Sequence, residues 1–161
     1  MPTFDIVNKV DMEAFKNAID GVNREILNRY DFKGSISKIM SEEDNYYILA
    51  ESDMKLNQIK ELLTKNLVRK SVDVKSISFE NIEKASGGNI RLPMILNQGI
   101  NKENAQKIIK YLKEKKFKIQ VSIQGDQLRV SGKKRDDLQI TISSLKELEI
   151  SIPLNFINFR D

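Results

Sequence analysis

The chain contains no cysteine and no histidine. The first absence excludes disulfides, thiol catalysis and thiolate-held zinc or iron–sulfur clusters. The second excludes a Ser-His-Asp triad, imidazole acid–base chemistry near neutral pH and histidine-ligated metal centres. An enzyme built on this chain would have to work with carboxylates, lysines, arginines, tyrosines and backbone amides. Non-catalytic binding, without metal or cofactor, is therefore the better expectation. Long apolar runs are missing too, since no stretch approaches the roughly 20 residues of a membrane span. The start, Met1-Pro2-Thr3-Phe4-Asp5-Ile6-Val7, has no basic region leading into an apolar run and so no secretory signal. The expectation is a cytoplasmic protein with no membrane partner.

What is present can fold. A chain of 161 residues with 40% apolar and 31% charged residues suits one domain or two small ones. Its formal charge of +4 is unevenly placed. Residues 1–85 hold 13 Lys and Arg against 15 Asp and Glu, whereas residues 86–161 hold 14 against 8. A basic half beside a slightly acidic one fits an anionic partner on one side. Part of that surplus, Lys110, Lys113, Lys115, Lys116 and Lys118, clusters at one helix end, where it also complements the helix dipole.

One pattern is written twice. Phe4 to Val7 reads as a strand, and Asp11 then stands at an N-cap ahead of Phe15, Ile19, Val22 and Ile26 at helical spacing. Asp31 to Gly34 turns the chain, Ser35–Met40 and Tyr46–Glu51 form a hairpin around Glu42-Glu43-Asp44-Asn45, and Asp53 is placed to cap a second helix. Val72, Val74 and Ile77 supply another strand. After the linker Ser86-Gly87-Gly88-Asn89 the order starts again. Ile90, Leu92, Met94 and Leu96 alternate as in a strand, with Pro93 arguing for an edge or bulge. Asn101 caps a helix, Gly125-Asp126 turns a hairpin, residues 134–148 read as a helix by analogy with the first half, and a last strand follows near Ile150 to Phe159. Val10-Asp11 and Ile100-Asn101 share the same β-branched-then-cap pairing. The reading is α+β: two tandem ferredoxin-like β-α-β-β-α-β domains, over 1–86 and the more basic 87–161.

Three segments are candidates for chemistry. In Gln124–Gln139 (QGDQLRVSGKKRDDLQ), a strand carrying Arg129 runs through Ser131-Gly132 into Lys133, Lys134 and Arg135 at a helix start. Cations there oppose the helix dipole, although Asp136 and Asp137 offset them, and the arrangement would cradle a phosphate between backbone N–H groups and fixed charge. It is not a Walker A loop, because the glycine spacing and the residue after Lys133 are wrong for one. In Tyr30–Ser35, Gly34 permits the turn and Phe32 suits a core position, with Lys33 beside it. The C-terminus, Asn155–Asp161, mixes aromatic rings with amides and Arg160, which suits base stacking or the closing of a sheet.

FDIV at 4–7, YDFKGS at 30–35, ESD at 51–53, QGI at 98–100, QGDQLRVSGKKRDDLQ at 124–139 and NFRD at 158–161 resemble the YajQ family of bacterial nucleotide-binding proteins. The likeness runs over essentially the whole chain. It implies a duplicated ferredoxin-like fold and leaves room for an exchange of the first strands between the halves. It also implies non-catalytic binding of nucleotide or RNA, with GTP, tRNA and, in some members, cyclic di-GMP as ligand classes, and regulation through a protein partner in those members. Carried over by position, its motifs fall on Arg129, Gly132, Lys133, Lys134 and Arg135, on Phe32 and Lys33, and on Asn158, Phe159 and Arg160. Two alternatives stand beside this reading. One is an acylphosphatase-like hydrolase using Arg129 or Arg160 with Asn158. The other is a protein-interaction module working through sheet faces or edges.

Overall fold

The computed structural model describes residues 1–161. They form two compact units. One is Val10–Asn97, and the other joins Met1–Lys9 to Gln98–Asp161.

In the first unit, helix α1 (Met12–Asn28) starts at Asp11, whose side chain accepts from Ala14 N at 3.1 Å. Phe15, Ile19, Val22 and Ile26, the face given by the sequence spacing, are buried with Ala18. Strand β1 (Thr3–Val7) forms as expected but belongs to the other unit, whereas β2 (Lys38–Glu42) and β3 (Asn45–Ala50) make the hairpin here. Helix α2 (Asp53–Arg69) is capped by Ser52, which accepts from Lys55 N, and not by Asp53. Asp53 lies inside the first turn, where its charge suits the positive helix end. Strand β4 (Ile77–Phe79) is shorter than the Val72–Ile77 periodicity suggested, because Asp73 caps a 3-10 turn over Val74–Ser76. Strands β5 (Glu83–Lys84) and β6 (Ile90–Leu96) complete a sheet of order β2-β3-β6-β4, in which β5 also pairs with β6.

Pro93 therefore sits in a central strand, not at an edge. Its carbonyl accepts from Glu80 N at 2.9 Å, so the N–H it lacks would point the same way, just past the end of β4. Glu80 is exposed there, and the missing donor costs the ladder little.

In the second unit, α3 (Lys102–Lys115) is capped by Asn101, which accepts from Asn104 N at 2.8 Å. The hairpin β7 (Ile119–Gln124) and β8 (Gln127–Gly132) turns at Gly125-Asp126, helix α4 (Arg135–Lys146) follows, and β9 (Asn155–Arg160) ends the chain. The sheet order is β7-β8-β1-β9. Phe4 and Ile6 of β1 are fully buried with Ile108, Leu128 and Val130.

The first strands are thus exchanged. Strand β1 lies between β8 and β9 of the later unit, and β6 lies between β3 and β4 of the earlier one. Each sheet is antiparallel, and each takes its ferredoxin-like centre from the other half of the sequence. The compact units consequently divide the chain otherwise than a linear cut between 86 and 87. Alternation sets which side chains of a strand face the core, but any sheet offering a matching apolar face satisfies it.

Candidate functional site

The charge surplus follows the compact units. The unit formed by 1–9 and 98–161 carries 14 Lys and Arg against 9 Asp and Glu, and Val10–Asn97 carries 13 against 14. Within the basic unit, β8 leads into α4 through Lys133 and Lys134. Lys134 is the N-cap, in extended conformation, and makes no side-chain capping bond. An ammonium group has no acceptor to offer, so the first-turn N–H groups are left without a side-chain cap. Asp136 and Asp137 in that turn complement the dipole.

Ile119 pairs with Gly132, which places Lys118 and Lys133 just beyond the ends of the paired strands. Lys118, Lys133 and Lys134 line one cleft of about 490 Å³, together with Phe117, Gln120, Ser131 and Met1. All three ammonium groups are exposed, and none makes an ion pair. In the sequence Lys118 stands out only as part of a helix-end cluster. Its place opposite Lys133 follows from the hairpin register.

Other residues of this segment are committed elsewhere. The N–H of Gly132 donates to the Pro2 carbonyl at 3.1 Å, so it is not aimed at a ligand. A Cβ at Gly132 would come within 3.3 Å of Leu138 Cδ2 and 3.4 Å of the Lys118 carbonyl, so the glycine fits a tight spot between α4 and β7. Arg135 is paired with Asp161, both largely exposed. The Arg135 guanidinium, bonded to Asp161, holds that carboxyl below its ordinary range.

Arg129 and Asn158 are brought together by Asp5, which in the sequence stands out only as part of a strand. Asp5 on β1 stands opposite Arg129 on β8. Arg129 Nε donates to Asp5 Oδ1 at 2.9 Å, and Asn158 Nδ2 donates to Asp5 Oδ2 at 2.9 Å. The Asp5 side chain is only 2% exposed, while that of Arg129 is 43% exposed. The hydrogen bond from Arg129 outweighs burial, and the carboxyl is held below its usual range with help from Asn158. The available signal was a charged residue at an inner position of the apolar strand FDIV.

A bulge in β9 makes the arrangement possible. Thr3 pairs with Arg160 but Asp5 pairs with Ile157, so β9 holds one extra residue, and Asn158 has a left-handed φ of 56°. The extra residue also lets Phe156 and Phe159 both reach Phe4, with ring centroids 6.0 and 5.8 Å away. Phe159 is thus part of an aromatic cluster, although its outer side is exposed, and Arg160 is exposed beside it.

Phe32 and Lys33 belong to the other compact unit. Phe32 is buried in its core, under the ammonium of Lys55 at 4.8 Å, and Lys33 is exposed next to Gly34, whose φ is 76°. They line a separate cleft of about 1060 Å³ with Tyr30, Lys38 and Met40. No three carboxylates converge to ligate a metal ion, and no helix is long and apolar enough to cross a membrane.

The family model described as "Nucleotide-binding protein YajQ-like" matches residues 2–160. A protein of Magnetococcus marinus named as a nucleotide-binding protein is 48% identical over 161 residues, the whole of both chains. Similarly named proteins of Nitrosococcus oceani and Paramagnetospirillum magneticum are 46% and 43% identical, again over the full length of both chains. A full-length match to the family model and these full-length identities make the chain a member of the YajQ-like family of nucleotide-binding proteins.

Proposed function

We propose that this protein binds nucleotides without transforming them, taking phosphates at the corner formed by Lys118, Lys133, Lys134 and the first turn of α4. The observation that carries this reading is the convergence of three unpaired lysines on a helix start that no side chain caps. Lys133 and Lys134 supply fixed charge, Lys118 closes the cleft from β7, and backbone N–H groups of the first turn complete the anion contacts. Arg129 and Arg160 are outer contacts. Arg135 contributes only when a phosphate displaces Asp161. The ligand is a guanine nucleotide, cyclic di-GMP or tRNA, all of which present phosphates to the same groups.

Phosphoryl hydrolysis is the weaker reading. Arg129 and Asn158 do converge, but on the carboxylate of Asp5, and an anionic phosphoryl group there would meet like charge.

Fluorescent tRNA, titrated by anisotropy over a range of salt concentrations with unlabelled cyclic di-GMP as competitor, tests the proposal. Salt-sensitive binding that the dinucleotide displaces, weakened by Lys133→Ala with Lys134→Ala, supports one shared phosphate site. Absence of binding at low salt by either ligand overturns it.

A further inference from the structure

The outer strand β7 is an unguarded sheet edge. It pairs only with β8 and bounds its four-stranded sheet. Natural edges are usually protected by charge, proline or a bulge. Strand β9, the opposite edge, carries the Asn158 bulge, and β2, which bounds the other sheet, has Lys38 and Glu42 at its ends. Strand β7 reads IQVSIQ, six residues without charge or proline, in unbroken register with β8.

Its free backbone groups are defined by the turn. Gly125, with φ of 64°, starts a two-residue loop that sets Gln124 opposite Gln127. Such a loop makes Gln124 and Gln127 a mutually bonded pair, and bonding then alternates along the ladder. Ser122 and Gln120 bond to β8 in turn, while Ile119, Val121 and Ile123 aim N–H and C=O away from it.

Alongside β7 runs a groove of about 570 Å³, lined by Ile109, Leu112, Phe117 and Val121, with Lys113 and Lys116 among its lining residues. Neither lysine makes an ion pair. Ile123 is 52% exposed at the hairpin end.

We propose that β7 docks an extended acidic segment of a partner protein, which adds as a fifth strand and sets apolar side chains into this groove. Main-chain bonds to Ile119, Val121 and Ile123 supply the pairing, the groove takes alternate side chains, and the lysines select acidic neighbours. Charge decides the occupant. Lys113 and Lys116 in the groove, with Lys118 just before the strand, favour an acidic segment, because opposite charge beside the edge steers the added strand and fixes its register.

The test uses the full-length protein, labelled with nitrogen-15, and a synthetic peptide of alternating glutamate and valine long enough to span β7. The expected result is amide shifts at Ile119, Val121 and Ile123, no comparable shifts with the lysine–valine counterpart, and roughly tenfold weaker binding in Lys113→Glu with Lys116→Glu. Val121→Pro removes an outward N–H while leaving the β8 ladder, and it should abolish the shifts; the lysine variant keeps the test valid should the proline impair folding. Equal shifts with the lysine–valine peptide overturn the proposal. So do shifts confined to the lysines, a single-stranded oligonucleotide that moves the Val121 and Ile123 amides, which lie outside the α4 cleft, more than the peptide does, and a dimer that Val121→Pro dissociates. Because the readout is at β7, its failure leaves nucleotide binding at the α4 corner separately testable.

Discussion

Asp5 and Arg129 lie 124 positions apart and face each other across adjacent strands, with Arg129 Nε 2.9 Å from Asp5 Oδ1. The contact exists only because β1 enters the sheet of the later half. The Asp5 carboxyl is held below its ordinary range by Arg129 and Asn158. A carboxyl with a lowered folded-state pKa adds stability above its unfolded-state pKa and loses it as pH falls through the folded value. Thermal unfolding followed against pH should show Asp5→Asn melting below the parent at neutral pH. The gap should close in acid, below the ordinary carboxylate range. A gap that persists unchanged in acid would mean that packing, not charge, holds this pair.

The caps can be separated by mutation. Ser52→Ala and Asn101→Ala each remove a side chain that accepts a first-turn N–H, and each should cost about 0.5–2 kcal/mol. Asp53→Ala, which removes only a favourable dipole contact, should cost about 0.3–1 kcal/mol. Urea unfolding checks the order, and a larger loss at Asp53 than at Ser52 would contradict the observed cap.

Gly21 lies inside α1, where alanine would ordinarily gain about 1 kcal/mol in helix propensity. Here an added Cβ would come within 2.5 Å of Asn66 Oδ1 on α2. Asn66 is buried and bonded to the Leu62 carbonyl and Glu25, so it has little freedom to yield. Gly21→Ala should therefore lower the denaturant midpoint despite its propensity gain, and a raised midpoint would show that α1 and α2 can separate.

Phosphate binding at the α4 corner has a salt signature. Replacing Lys118 by alanine should flatten the logarithmic salt dependence of tRNA binding by about 0.7–0.9 for one lost phosphate contact. Lys33→Ala, in the other compact unit, should leave that slope unchanged. Equal effects from both would move the site away from the corner.

Local chemistry determined the elements. Asp11 and Asn101 cap their helices where short polar side chains stand before an apolar stripe, and Gly125-Asp126 closes its hairpin, because these contacts reach only a few residues. The same locality puts the α2 cap one residue late, at Asp53 where the structure has Ser52, since both side chains are of a kind that caps a first turn. The duplicated order was legible as well, and with it the placement of Phe32 in a core. Tertiary structure decided the rest. Which sheet receives β1 and β6 depends on the match of whole apolar faces across the chain, and alternation along one strand carries no such information. From that exchange follow the partner of Asp5 and the central position of Pro93. The opposition of Lys118 and Lys133, and the turning of Asn158 by the β9 bulge, depend on strand register, which is set by pairing between segments.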